Sequence, residues 1–177
     1  MRLFAAVEPP PEIREGLVRR QQGLPGARWR PPETLHVTLR FFGDIPSPVA
    51  SDLDAELATV SVPPFDLALG GVGAFGEGKD IHAIWAGVAD SEPLRRLASR
   101  CEAAARRSGL KPEQRAYHPH VTLAYLKHPD PARVAAWVQG HNLLESPPFR
   151  VTWFGLYSSW PTKEGSRYEL ERDYPLV

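Results

Sequence analysis

The chain has 177 residues, of which 42% are hydrophobic, and its 21 basic and 21 acidic side chains cancel to zero net charge. This size and composition are typical of one globular domain, here predicted to comprise residues 1–177. Zero net charge argues against bulk, sequence-blind binding of nucleic acid, which requires a strongly basic surface, but it is compatible with a small phosphate site.

Cysteine content and the N-terminal segment indicate the cellular compartment. Cys101 is the single cysteine, so we expect neither an internal disulfide nor a cysteine-based zinc site. The apolar run in Met1–Val7 is too short for a signal peptide, and no stretch approaches the ~20 apolar residues of a membrane span. We expect a soluble, cytoplasmic monomer that does not bind membranes, with Cys101 as a core thiol.

Strands are predicted where short β-branched and aromatic runs lie between prolines or glycines, and helices where apolar residues recur every three or four positions. In the first half of the chain these patterns predict strand 2–7, helix 12–22, strand 35–42, helix 49–60 and strand 65–72. In the second half they predict strand 81–88, helix 92–108, strand 117–126, helix 131–139 and strands 149–158 and 168–171.

The two halves share one tetrapeptide, His-Val-Thr-Leu, which begins at His36 and again at His120. Each copy lies in a predicted strand that follows a helix, so the halves form an internal repeat of two units. Two units are too few for a solenoid. The repeat instead predicts two lobes related by approximate twofold symmetry, with a ligand site between them.

Alternation along a strand separates each motif into two faces. In the first motif the predicted site face consists of His36, Thr38, Arg40 and Phe42, and the opposite face is entirely apolar. In the second motif the predicted site face consists of His118, His120, Thr122 and Ala124, with Val121, Leu123 and Tyr125 opposite. Each strand is therefore expected to present an imidazole and a hydroxyl on one face and to pack its opposite face into the core.

Paired imidazoles and hydroxyls suit the chemistry of phosphodiesters. Imidazole exchanges a proton near neutral pH, so one ring can take a proton from an attacking oxygen while the other gives one to a leaving oxygen. The threonine hydroxyls can donate hydrogen bonds to non-bridging phosphate oxygens, and Arg40 can add charge. A single His-x-Thr in a strand is usually structural, but core packing does not explain histidine at both copies, since histidine is an awkward core residue.

The flanks of the two motifs resemble those of a known family. The first motif stands in WRPPETLHVTLRFFG (29–43) and the second in EQRAYHPHVTLAYL (113–126). Together they resemble the 2H phosphoesterases, specifically the bacterial and archaeal RNA 2′,3′-cyclic phosphodiesterases, also called 2′-5′ RNA ligases. Further similarity lies at 73–75, 85–87 and 156–159 and at Gly165 and Tyr168, so the resemblance covers nearly the whole chain.

The resemblance implies an α+β fold of two pseudo-symmetric lobes, each an antiparallel sheet with helices on its outer face, and an active-site groove between them. It implies hydrolysis of 2′,3′-cyclic phosphate RNA ends to 2′-phosphomonoesters, with reversible 2′-5′ ligation, and no metal or nucleotide cofactor. The expected partners are RNAs with such cyclic ends or with 2′-5′ linkages. On the family pattern His36 is the proton donor, His120 is the proton acceptor, and Thr38 and Thr122 bind the phosphate.

The chain departs from the family pattern at one position. Many relatives carry arginine where this sequence has Tyr125, so the phosphate contact expected there requires another cation, for which Arg40 and Arg115 are the candidates. For stacking on a base, Phe42 is favoured over the other strand aromatics, Phe75, Trp85 and Tyr157.

Two alternatives stay open from the sequence. One is a non-catalytic RNA- or nucleotide-binding module on the same fold, an alternative motivated by the missing arginine. Less favoured is a zinc hydrolase whose ligands are His36, His118 and His120, because the threonines would then have no role. The other histidines, His82, His128 and His141, are expected at the surface or in packing.

Overall fold

The structure is a computed structural model, and it describes residues 1–163 and 165–177. Within these residues, ten strands and four α-helices follow one another in chain order. The strands are β1 (Arg2–Val7), β2 (Arg28–Trp29), β3 (Val37–Asp44), β4 (Phe65–Leu67), β5 (Leu69–Phe75), β6 (Ala83–Val88), β7 (His120–Tyr125), β8 (Phe149–Val151), β9 (Trp153–Thr162) and β10 (Gly165–Pro175). The helices are α1 (Pro11–Val18), α2 (Ser47–Leu57), α3 (Glu92–Arg107) and α4 (Pro131–His141).

The strands form two four-stranded antiparallel sheets and one small ribbon. The first sheet has the order β10-β9-β1-β3, the second has the order β2-β7-β6-β5, and β4 pairs with β8. The predicted α+β fold with antiparallel sheets is therefore confirmed. The lobes, however, are not the two halves of the sequence, because β9 and β10 complete the sheet of the first motif and β2 joins the sheet of the second.

The larger of the two hydrophobic clusters formed by the described residues holds both sheets and all four α-helices together. It contains helix residues such as Leu17, Leu53, Leu97 and Val134 alongside strand residues from both sheets, and Cys101 is buried within it as predicted. None of the helices formed by the described residues has the length and apolar content that a membrane span requires.

Local signals explain how the longest helix begins and ends. The Ser91 side chain accepts a hydrogen bond from the Leu94 backbone N–H at 3.2 Å, which caps the start of α3. Gly109 has φ +89°, the left-handed conformation that ends a helix at little cost. Elsewhere some predicted boundaries are wrong. The first helix is predicted over residues 12–22, but α1 ends at Val18, because its buried apolar residues, Ile13 and Leu17, extend no further. The strand β3 continues through Gly43-Asp44, where the sequence predicts a break.

Candidate active site

A groove of about 860 Å³ lies between the two sheets, and both His-x-Thr pairs line it. This volume is within the range of small-molecule sites in proteins. The strands β3 and β7 approach each other here, and the Tyr117 hydroxyl donates a 2.8 Å hydrogen bond to the Thr38 carbonyl. His36, Thr38, His120 and Thr122 are thus brought together from the two motifs.

Two bulges in β3 change which side chains face the groove. Against β1, Ala6 is opposite Thr38 while Ala5 is opposite Arg40, and a second shift follows at Phe42. Each bulge inserts one unpaired residue and re-aims those after it. The prediction that Phe42 shares the His36 face is therefore wrong: Phe42 is 8% exposed in the core, and Phe41 lines the groove at 59% exposure.

A bulge at the equivalent place alters β7. Against β6, Ile84 is opposite Ala124 while Trp85 is opposite Thr122, so Leu123 is the extra residue. Consequently Ala124 is buried in the core and Tyr125 lines the groove, which reverses the faces that strict alternation predicts for them. The symmetry of the two motifs thus extends to the bulge that follows each threonine.

His36 lies at a buried end of the groove, 7% exposed. Its ring packs edge-on against Tyr157, with ring centroids 4.6 Å apart. The Tyr157 hydroxyl donates to Glu8 at 3.0 Å, and Glu8 also pairs with Arg14 at 2.9 Å. Burial lowers the pKa of His36, although the charge of Glu8 acts in the opposite direction.

The Nδ1 atom of His36 makes no hydrogen bond of normal geometry to any residue in 1–163 or 165–177, although the Thr34 backbone favours a proton on the ring. Packing against the Tyr157 ring therefore contributes to the position of the imidazole. Because the charged form is poorly solvated there, the free protein holds His36 neutral at neutral pH.

His120 is held by a different device. Its Nδ1 lies 2.7 Å from the His118 carbonyl oxygen. A carbonyl only accepts, so Nδ1 carries the hydrogen and the Nε2 lone pair of the neutral ring is left free. Phe75 packs edge-on against this ring at 4.8 Å. Burial lowers the pKa of His120, which keeps the ring in its proton-accepting form.

The two arginines predicted as phosphate contacts line the groove but are engaged elsewhere. Arg40 turns toward α3, where its Nε donates to Glu102 at 2.6 Å, and its other nitrogens donate to the carbonyls of Phe41 and Lys111. Burial alone would raise the pKa of Glu102, but its hydrogen bonds with Arg40 and other donors hold it below the usual range. Arg115 is 86% exposed at its side chain and pairs with Glu113 at 3.4 Å.

The three-histidine zinc alternative has no geometric support. In the part of the chain that the structure describes, no three His, Cys, Asp or Glu side chains are arranged to hold a metal ion. His118 packs edge-on against Trp85 at 4.9 Å, as a packing residue would. His141 stacks near Trp137 and His128 is exposed, as predicted for them, whereas the exposed His82 also lines the groove.

Several groove residues escaped the sequence-based prediction. Arg30 and Tyr168 line the groove beside His36; both lie in segments that resemble the family, but the sequence assigns neither a role in the site. Phe41 escaped because bulges are set by pairing with a distant strand. The sequence makes Tyr157 a candidate for base stacking, but its side chain is buried, with the residue 3% exposed, and it packs against His36 instead.

The chain is similar in sequence to known proteins. The sequence profile of the 2′-5′ RNA ligase superfamily matches residues 9–159. A relative from Escherichia coli (strain K12) named RNA 2′,3′-cyclic phosphodiesterase is 31% identical over 180 residues, which span 99% of this chain and 97% of the relative. A relative of the same name from Aeropyrum pernix is 38% identical over 96 residues, 54% of either chain.

The fold is shared over almost its full length. The crystal structure of E. coli LigT complexed with 3′-AMP superposes with a TM-score of 0.82 at 27% identity, and the match covers 99% of this chain and 98% of LigT. Profile, full-length relative and fold point to the same group of proteins. The chain therefore belongs to the 2′-5′ RNA ligase superfamily.

Proposed function

We propose that the chain is a phosphodiesterase that hydrolyses the 2′,3′-cyclic phosphate at an RNA end to a 2′-phosphomonoester. The observation that carries the proposal is one groove lined by two histidines, each with a threonine two residues further along the chain. The names of the E. coli and A. pernix relatives support the substrate class.

In the proposed reaction His120 takes a proton from a water molecule as that water attacks phosphorus. The bond from phosphorus to the 3′ oxygen breaks, and His36 gives its proton to the leaving oxygen. The products are a 2′-phosphate and a free 3′ hydroxyl. Attack by a 5′ hydroxyl in place of water would form a 2′-5′ linkage by the same proton transfers, and the reverse reaction would cleave that linkage.

The environments of the two rings support these roles. The free Nε2 lone pair of His120 is what a general base requires, since Nδ1 is occupied by the His118 carbonyl. His36 is neutral in the empty groove, and an entering phosphate anion favours its protonation, because an opposite charge stabilises the imidazolium. His36 therefore becomes the acid when the substrate is bound.

Thr38 and Thr122 are the proposed donors to the non-bridging oxygens, which gain charge in the transition state. The base-stacking role predicted for Phe42 passes to Phe41, the exposed ring on the groove side. We further propose that residues 1–177 act as one bilobal catalytic domain, a cytoplasmic monomer without metal or cofactor. Its partners would be RNAs with 2′,3′-cyclic ends or 2′-5′ linkages.

The test uses a labelled RNA oligonucleotide ending in a 2′,3′-cyclic phosphate, incubated with the protein in EDTA. We expect a product that co-migrates with an authentic 2′-phosphate standard and not with the 3′-phosphate standard. His36→Ala and His120→Ala should each lower kcat by roughly 100- to 10,000-fold, the usual contribution of a positioned acid or base. The double variant should lose little more than the worse single variant, because the two rings act as a unit.

His128→Asn is the matched control. His128 is exposed, lies outside the groove and has φ +47°, a conformation that asparagine tolerates. This variant should keep full activity. Absence of turnover by the unmodified protein, or full activity in both histidine-to-alanine variants, would overturn the proposed function. A 3′-phosphate product would overturn the assignment of the leaving oxygen.

A further inference from the structure

Arg30 enters the groove from a backbone that is fixed on both sides. Its N–H donates to the Leu123 carbonyl at 2.8 Å, and its own carbonyl accepts from the Gln21 side chain at 2.9 Å. The Gln21 amide also donates to the Leu123 carbonyl at 3.0 Å. Leu123 is the bulge residue that follows Thr122, so Arg30 is tied to the motif strand at the point where that strand changes face.

The Arg30 guanidinium is held between two tyrosine rings. Its central carbon lies 5.3 Å from the centroid of Tyr125 and 5.7 Å from that of Tyr168, and Nη2 donates to the Tyr168 hydroxyl at 3.2 Å. Tyr125 belongs to one sheet and Tyr168 to the other. The cation is thus placed between the lobes, and stacking on aromatic faces restrains its plane without neutralising its charge.

Arg30 is 8% exposed and yet has no counter-ion among the described residues. Buried charges are normally paired with an opposite charge, because desolvation without a partner is costly. A guanidinium has five N–H donors. In the guanidinium of Arg30, the described hydrogen bond to the Tyr168 hydroxyl uses one of them. Among the described residues, the groove therefore contains a preorganised cation several of whose N–H donors have no acceptor.

The other groove arginines lack this combination. Arg40 forms an ion pair with Glu102 at 2.6 Å, and Arg115 is exposed and paired with Glu113. Each of these two arginines is paired with a glutamate carboxylate, which would repel an incoming anion or have to be displaced by it. Among the arginines that line the groove within residues 1–163 and 165–177, the unpaired buried charge is that of Arg30.

We propose that Arg30 binds a non-bridging oxygen of the reacting phosphate, with Tyr125 as a positioning residue that holds the guanidinium plane. The proposal rests on the proposed function for the identity of that phosphate. Tyr168 packs 5.8 Å from the His36 ring, centroid to centroid, which puts Arg30 on the side of the groove where the proton donor lies. The position where an arginine was expected is thus occupied by the ring that supports another arginine.

The first experiment compares Arg30→Gln with the unmodified protein in two assays that use ligands carrying a single phosphate. One is calorimetric titration with inorganic phosphate, and the other is hydrolysis of a nucleoside 2′,3′-cyclic monophosphate. We expect Arg30→Gln to weaken phosphate binding and to lower kcat/KM, each by roughly 10- to 100-fold, as the loss of a charge-assisted hydrogen bond does. Arg30→Lys should lose less, since it keeps the charge but not the planar fork.

Arg28→Gln is the matched control, because Arg28 is exposed, lies in the same short strand β2 and does not line the groove. It should bind and turn over like the unmodified protein. An equal loss in Arg28→Gln would show a general electrostatic effect and would overturn the assignment. So would a defect in Arg30→Gln that appears with an oligonucleotide but not with the mononucleotide, because Arg30 would then contact a phosphate other than the reacting one.

A rescue variant separates the missing charge from misfolding. Because the Tyr125 ring lies directly against the guanidinium, Tyr125→Arg combined with Arg30→Gln places a cation in the same region from the adjacent strand. We expect it to recover at least about tenfold of the lost phosphate affinity. Failure of the rescue in a double variant that unfolds cooperatively near the melting temperature of the unmodified protein would overturn the proposal.

The two proposals fail in different ways. If the unmodified protein binds phosphate through Arg30 but hydrolyses no cyclic phosphate, the proposed function is wrong and the anion site stands. If the unmodified protein hydrolyses the cyclic phosphate and Arg30→Gln matches it in both assays, the anion site is wrong and the proposed function stands.

Discussion

The neighbouring residues Phe41 and Phe42 test whether bulges reverse the faces of the first motif strand. Phe42 is 8% exposed in the core, so Phe42→Ala should cost about 3 kcal/mol of unfolding free energy. For a domain of this length that corresponds to a fall of roughly 6–12 °C in Tm. Phe41 is 59% exposed and packs against Phe4 at 5.6 Å, so Phe41→Ala should cost at most about 1 kcal/mol.

For substrate binding, the expected order of the two variants is the reverse: Phe41→Ala should have the larger effect. A base that stacks on an aromatic ring gains about 1–3 kcal/mol, so Phe41→Ala should raise KM for a cyclic mononucleotide by about tenfold or more. Phe42→Ala, assayed well below its Tm, should leave KM nearly unchanged. Urea denaturation and steady-state kinetics on both variants provide the four values. If Phe41→Ala carries the loss of stability and Phe42→Ala the rise in KM, the side chains alternate without a bulge and the assignment of faces is refuted.

Three further outcomes are expected. Burial lowers the pKa of both groove histidines below the ordinary value of about 6.5, so the bell-shaped profile of kcat/KM should peak below pH 6.5, and a peak above about pH 7 would contradict this. The unfolded chain takes up protons before the folded one does, so the free energy of unfolding should fall as pH drops below about 6.5, and His36→Gln should reduce that slope in urea titrations. Gln21→Leu removes hydrogen bonds to the Arg30 and Leu123 carbonyls and should cost about 2 kcal/mol by urea denaturation, while the exposed Gln22→Leu should cost less than about 0.5.

Local pattern was sufficient for much of the fold. Apolar spacing predicts α3 and its end near Gly109, and β-branched runs predict β3, which begins directly after His36, and β7, which begins at His120. These features depend on residues within a few positions of one another. The C-terminal strand was underestimated at 168–171, whereas β10 runs from Gly165 to Pro175, because its exposed polar residues are held in the sheet by pairing with β9 and not by their own propensity.

By itself the sequence determined that two histidines and two threonines face one side of their strands, because alternation up to the threonine is a property of the backbone alone. Beyond the threonine, tertiary structure decided. The bulges arise from pairing with β1 and β6. As a result Phe41 and Tyr125 line the groove, whereas Phe42 and Ala124 lie in the core. The place of Arg30 required Tyr168 from the far end of the chain. Pairing and burial between distant segments are set by the packed fold, which no local pattern encodes.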